Sequence, residues 1–103
     1  ELARRIAGSG VTVNCLHPGA VATRLGQNNG RIATVLTKVI APFFRTPDQG
    51  ADTAVYLGSS PEVEHVTGGY FVNRHPTRPS HAAQDDAVAA RLWDVSSAMT
   101  ATT

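Results

Sequence analysis

The chain has 103 residues, 42% of them hydrophobic and 17% charged, which bounds it to one globular domain or a piece of one and excludes a disordered segment. Nine basic and eight acidic residues give a formal net charge of +1, too balanced for electrostatic binding to nucleic acid. Cys15 is the only cysteine, so no internal disulfide forms and a cytoplasmic setting is expected; no apolar run reaches the length of a membrane span.

Glu1 to Ala7 carries good helix formers, with Leu2 and Ile6 on one face, and Gly8 and Gly10 suit the stop. It reads as the end of a helix rather than a signal peptide, so the chain is expected to begin within an element. Val11 to Leu16 predicts a buried strand covered on both faces, ended by His17-Pro18-Gly19. Residues 24 to 30 read as a loop, and Arg31 to Ile40 as a helix with apolar residues at helical spacing, ended by Pro42-Phe43-Phe44.

Thr46-Pro47-Asp48-Gln49 is the strongest local signal. Thr46 is the expected N-cap, Pro47 suits the first helical position, and Gln49 sits where a capping box needs it. That helix is expected to run to about Leu57, with Gly58 as its stop. Pro61 to Val66 is a loop, Tyr70 to Val72 a short strand, and residues 73 to 82 a loop. Asp85 caps a last helix with an apolar stripe of Ala87, Val88, Leu92, Val95 and Met99, expected to fray from Ser96 onward. Helices separating strands predict an α/β fold with parallel pairing. Two parallel strands bury too little alone, so further sheet is expected upstream.

The corner after the first strand is the main candidate site. Ligands of open α/β sheets sit beyond the carboxyl ends of the strands, where this corner lies. Val21 offers a backbone N–H and C=O, the donor and acceptor a planar amide needs, and Thr23 offers a hydroxyl. On local spacing alone an ordinary strand-to-loop turn is the better account. Histidines 17, 65, 75 and 81 match no zinc spacing, so no metal is expected, although His17 is placed to shape the corner. Cys15 reads as an inert core thiol.

The runs GVTVNCLHPGAVATRL and TPDQGADTAVYLGSSPEVEHVTGGYFV resemble the C-terminal part of a short-chain dehydrogenase/reductase. The tail PSHAAQDDAVAARLWDVSSAMT is similar to the retinol dehydrogenase-like branch. The resemblance covers nearly the whole chain. It implies the C-terminal portion of a Rossmann-like doubly wound parallel sheet, with two strands and about four helices. Residues 1–103 are then a single partial domain with a substrate-binding loop at about 24–46. The implied cofactor is NAD or NADP: Pro18 and Gly19 would back the nicotinamide ring, Val21 would bond its carboxamide through the backbone, and Thr23 would bond the carboxamide or the pyrophosphate. Leu25, Phe43 and Phe44 would form an apolar substrate wall; Leu36 and Ile40 are expected to face the core.

Two signatures of the family are missing from these residues. Gly8-Ser9-Gly10 precedes a strand rather than following one, so it is no dinucleotide fingerprint. No Tyr-x-x-x-Lys pair occurs: Lys38, the only lysine, follows Thr34 by four. In the family that lysine lowers the tyrosine pKa for proton exchange with the substrate oxygen. No catalytic residue is therefore assigned here. The reading is part of an NAD(P)-dependent oxidoreductase acting on a small hydrophobic alcohol or carbonyl compound, inactive alone. Its expected partners are a missing N-terminal Rossmann half and a second copy of itself. The rivals are a non-catalytic binding or regulatory module and an inactive truncation product.

Overall fold

The computed structural model describes residues 1–21 and 30–101, leaving the side chains of 32–34 and 37 outside that description. In chain order the elements are α1 (Leu2–Arg5), β1 (Cys15–His17), α2 (Arg31–Ile40), α3 (Pro47–Ser59), β2 (Tyr70–Val72), β3 (His75–Pro76) and α4 (Asp86–Thr100). Short 3-10 turns at Ala41–Phe43, Pro61–Val63 and Ala82–Gln84 sit between them. The α/β class holds.

The sheet has three strands in the order β1-β2-β3, not the two expected. β1 pairs parallel with β2, placing Cys15 opposite Tyr70 and Leu16 opposite Phe71. β2 pairs antiparallel with β3, so the sheet is mixed. The extra strand comes from a two-residue hairpin at Asn73-Arg74. Both residues have positive φ, 50° and 64°, the pattern of the hairpin turns whose twist matches the flanking strands. Asn tolerates that region; Arg does so with help. Here the help is tertiary: the Arg74 N–H donates to Thr53 Oγ1 on α3 at 3.1 Å. Pro76 has no N–H for a ladder, which by sequence alone favours a loop. It lies on an edge strand, where a missing N–H costs no ladder bond.

β1 is shorter than Val11–Leu16, because side chains replace the ladder upstream. Thr67 Oγ1 accepts from the Val13 N–H at 3.0 Å. The Asn14 amide donates to the Val66 carbonyl at 2.7 Å and accepts from the Gly69 N–H at 2.9 Å. Nor is β1 buried: Cys15 and His17 are exposed and Leu16 is half-buried. Cys15 is likewise free and exposed, so the expected core position is not found in this chain.

Among the described residues the fully buried side chains are Phe71, Val63 and Thr53. α3 begins as expected. Thr46 Oγ1 accepts from the Gln49 N–H at 3.2 Å and Gln49 Oε1 accepts from the Thr46 N–H at 2.9 Å, closing the capping box. It runs on through Gly58 to Ser59, where Ser59 Oγ donates to the Val55 carbonyl. α4 is capped by Asp85, whose carboxylate accepts from the Ala87 and Val88 N–H groups. It does not fray at Ser96 but continues to Thr100.

Candidate functional site

The chain leaves β1 at His17 and turns at once. The Gly19 N–H donates to Nδ1 of His17 at 2.9 Å, so this histidine shapes the corner, as its position suggested. Gly19 has φ of 80°, the left-handed region. A Cβ there would also lie 2.9 Å from Cδ of Arg45, so both conformation and space call for glycine.

Arg45 is the residue that the sequence reading missed. Its N–H donates to the Ala20 carbonyl at 2.8 Å, and Val21 and Arg45 form a parallel bridge. That bond is made by the residue before Val21, and backbone groups alternate sides along an extended strand, so the N–H and C=O of Val21 face away from Arg45. Among the described residues neither group has a hydrogen-bond partner. One Arg45 guanidinium nitrogen, Nη1, donates to the Pro18 carbonyl at 3.3 Å and to Asn73 Oδ1 at 2.6 Å. The corner is thereby fastened to the β2–β3 hairpin, whose Asn73 lies 28 residues beyond Arg45.

The Val21 side chain lies against α3. A Cβ on Gly50 would stand 2.6 Å from Val21 Cγ2, so only glycine leaves room for it. Nothing local marked Gly50, since a glycine inside a helix reads only as a weak position.

The structure thus brings together Pro18, Gly19 and Val21. Thr23 and Leu25 lie outside the described residues. Phe43 ends the 3-10 turn at Ala41–Phe43 and is 86% exposed; Phe44 is half-buried, next to Arg45. Leu36 and Ile40 do not face a core: they are 60% and 38% exposed. Arg31, Val35, Leu36 and Val39 line an open apolar groove of about 390 Å³.

Across α3 lies a second polar cluster. The Arg74 guanidinium forms a two-point ion pair with Asp52, with Nε to Oδ2 at 2.7 Å. It also stands 5.7 Å from the centre of the Tyr56 ring. Arg74 holds the Asp52 carboxyl below its ordinary range. Tyr56 donates its hydroxyl to Glu62 at 3.1 Å. Loss of water around the phenol, then the Glu62 carboxylate, push its pKa up, the direction opposite to a tyrosine prepared to exchange a proton at neutral pH. Among the described residues no group of three or more His, Cys, Asp or Glu is placed to hold a metal ion, and no helix is long and apolar enough to cross a membrane.

Comparison with known proteins follows this geometry. No protein-family model matches the chain, and no solved structure does. Curated proteins do match. Human (Homo sapiens) retinol dehydrogenase 14 is 46% identical over 102 residues, covering 96% of this chain and 30% of the relative. Retinol dehydrogenase 13 of Mus musculus is 41% identical over 98 residues, covering 90% and 29%. A WW domain-containing oxidoreductase of Danio rerio is 38% identical over 96 residues, covering 93% and 23%. The chain spans about three tenths of the length of the retinol dehydrogenases it matches. The resemblance drawn from its motifs holds: nearly the whole of this chain is similar to the retinol dehydrogenases.

Proposed function

We propose that this chain is the C-terminal portion of an NAD(P)-dependent short-chain oxidoreductase with a doubly wound, Rossmann-like sheet, working in the cytoplasm on a small hydrophobic alcohol or carbonyl compound. The carrying observation is the Val21 backbone: a donor and an acceptor, both unpartnered among the described residues, held at the carboxyl end of a parallel strand. That pair fits a carboxamide, which needs one of each. Pro18 and Gly19 form the adjoining backbone surface, and Thr23 is assigned a hydroxyl contact to the carboxamide or pyrophosphate. When bound, the nicotinamide supplies hydride exchange. The chain's own residues bind and orient: the corner fixes the carboxamide edge, and Leu25, Phe43 and Phe44 exclude water from an apolar substrate.

Residues 1–103 form one partial domain in this reading, with the substrate loop at about 24–46. The 103 residues hold no Tyr-x-x-x-Lys pair, so the isolated chain is expected to show no turnover in an NAD(P)H absorbance assay. Turnover by the isolated chain would overturn the division of labour. The cofactor reading itself is tested in the complete encoded protein by fluorescence titration with NADH and NADPH; absence of saturable binding to both would sink it.

A second reading has its own observation. β1 stands at an edge of the sheet, and its outer backbone groups form a template for another strand. A non-catalytic module would use that edge to hold a partner chain. Gel filtration with mass measurement separates the two: a module forms a stoichiometric complex without binding dinucleotide. A self-associated pair would support the homo-oligomer expected of the enzyme, and an inactive truncation product would show no cooperative melt by circular dichroism.

A further inference from the structure

The geometry points to Arg45 as a positioning residue for dinucleotide binding, acting through the Pro18–Val21 corner rather than on the ligand. This rests on the cofactor reading above. Four contacts carry it, from three parts of one residue. The Arg45 N–H fixes the Ala20 carbonyl at 2.8 Å. The Arg45 guanidinium ties the Pro18 carbonyl, at 3.3 Å, to Asn73 on the β2–β3 hairpin, at 2.6 Å. The side-chain stem packs closely on Gly19, where a Cβ would stand 2.9 Å from Cδ.

The arrangement sets a direction. In the parallel bridge the Ala20 carbonyl bonds to Arg45, and the Val21 N–H and C=O, one step along the strand, face away from it. Rotation of the corner would turn that donor–acceptor edge with it. Two stops oppose the rotation: the guanidinium clamp on one side, and Gly50 on the other, where the Val21 side chain fills the space of a missing Cβ. Without the clamp, the side-chain hold on Pro18 and Gly19 among the described residues reduces to the His17 contact. Preorganised amides bind without an ordering cost, and losing that order weakens binding with no ligand contact removed.

The test uses the complete encoded protein with Arg45→Ala, Arg45→Lys and Asn73→Ala, read by NAD(P)H fluorescence titration and by amide hydrogen exchange. Arg45→Ala is expected to weaken dinucleotide binding about five- to tenfold, the scale of one ordinary net hydrogen bond. It raises the KM for dinucleotide and leaves that for the carbonyl substrate unchanged. Lys, which presents one donor group rather than a fork, recovers part of the loss. The amides of Gly19 and of position 45 exchange faster, while those in the middle of α3 keep their protection. Unchanged binding and unchanged exchange at the corner would overturn the assignment. So would a loss of binding that tracks lost protection throughout α3, since Arg45 would then only stabilise the fold. If the unsubstituted protein binds neither NADH nor NADPH, the cofactor reading falls, and the exchange comparison decides alone whether Arg45 holds the corner.

Discussion

α3 and α4 are the two long helices, and both begin with a capping side chain: Thr46 for one and Asp85 for the other. Their attachments differ. α3 docks with small residues. Thr53 is 2% exposed and accepts from the hairpin N–H of Arg74, and Gly50 admits the Val21 side chain. α4 buries no residue fully. Its apolar stripe faces outward, with Leu92 65% and Met99 81% exposed. It is joined to α1 by charge and one ring: Arg4 pairs with Asp86, Arg5 lies 3.6 Å from Asp94, and the Arg5 guanidinium stands 4.7 Å from the centre of the Trp93 ring. The lesson is that an amphipathic pattern identifies a helix without saying that its apolar face is covered. α3, and not the longer α4, is the one built into the site.

The sharpest test of that contrast compares Phe71→Ala with Leu92→Ala. Phe71 is 1% exposed on the central strand, so its truncation is expected to cost about 3–5 kcal/mol. Leu92→Ala is expected to stay within about 0.5 kcal/mol, as for a surface site. Denaturant midpoints of the two variants check this; comparable losses would mean that the α4 stripe is covered in solution. The caps come next. Thr46→Ala removes the oxygen that accepts from Gln49 and is expected to cost about 1 kcal/mol of global stability. Asp85→Ala removes a comparable cap from a helix with little attachment. Its effect should be confined to faster hydrogen exchange in the first turn of α4, with the global melt nearly unmoved.

What could be read beforehand was local. The capping box at Thr46, the cap at Asp85 and the Pro18-Gly19 corner each declare themselves within four residues, because the physics that makes them acts at that range. The parts missed are joined across the chain. Arg45 reaches Pro18 across 27 positions and Asn73 across 28, and no pattern of spacing encodes such a meeting. β3 was hidden by Pro76, whose cost vanishes only when the strand is known to be an edge. Cys15 was expected inside because a run of Val, Cys and Leu suits a covered strand, yet it is exposed. Sequence pattern reports what a strand is suited to, whereas burial depends on which elements lie against it.

The smallest expected effect concerns acid, and it falls on the α3 side. Asp52, on α3, pairs with Arg74, in the hairpin turn, and the side-chain hydrogen bonds from that guanidinium chiefly lower its carboxyl pKa in the folded state. A carboxyl with a lowered folded pKa contributes stability at pH values above its unfolded pKa, about 4. The contribution disappears as the pH falls through the lower folded value, because the protonated acid no longer pairs with Arg74. Both side chains are partly in water, so solvent and salt screen the pair and the effect is slight. Asp52→Asn should therefore lower the melting temperature slightly near pH 7 and not at all near pH 2, narrowing the acid dependence relative to the parent. Matched melting curves at the two pH values check it. The same narrowing in full after Asp94→Asn, on α4, would break the comparison, since acid sensitivity would then belong to the helix held by charges rather than to the one docked at the site.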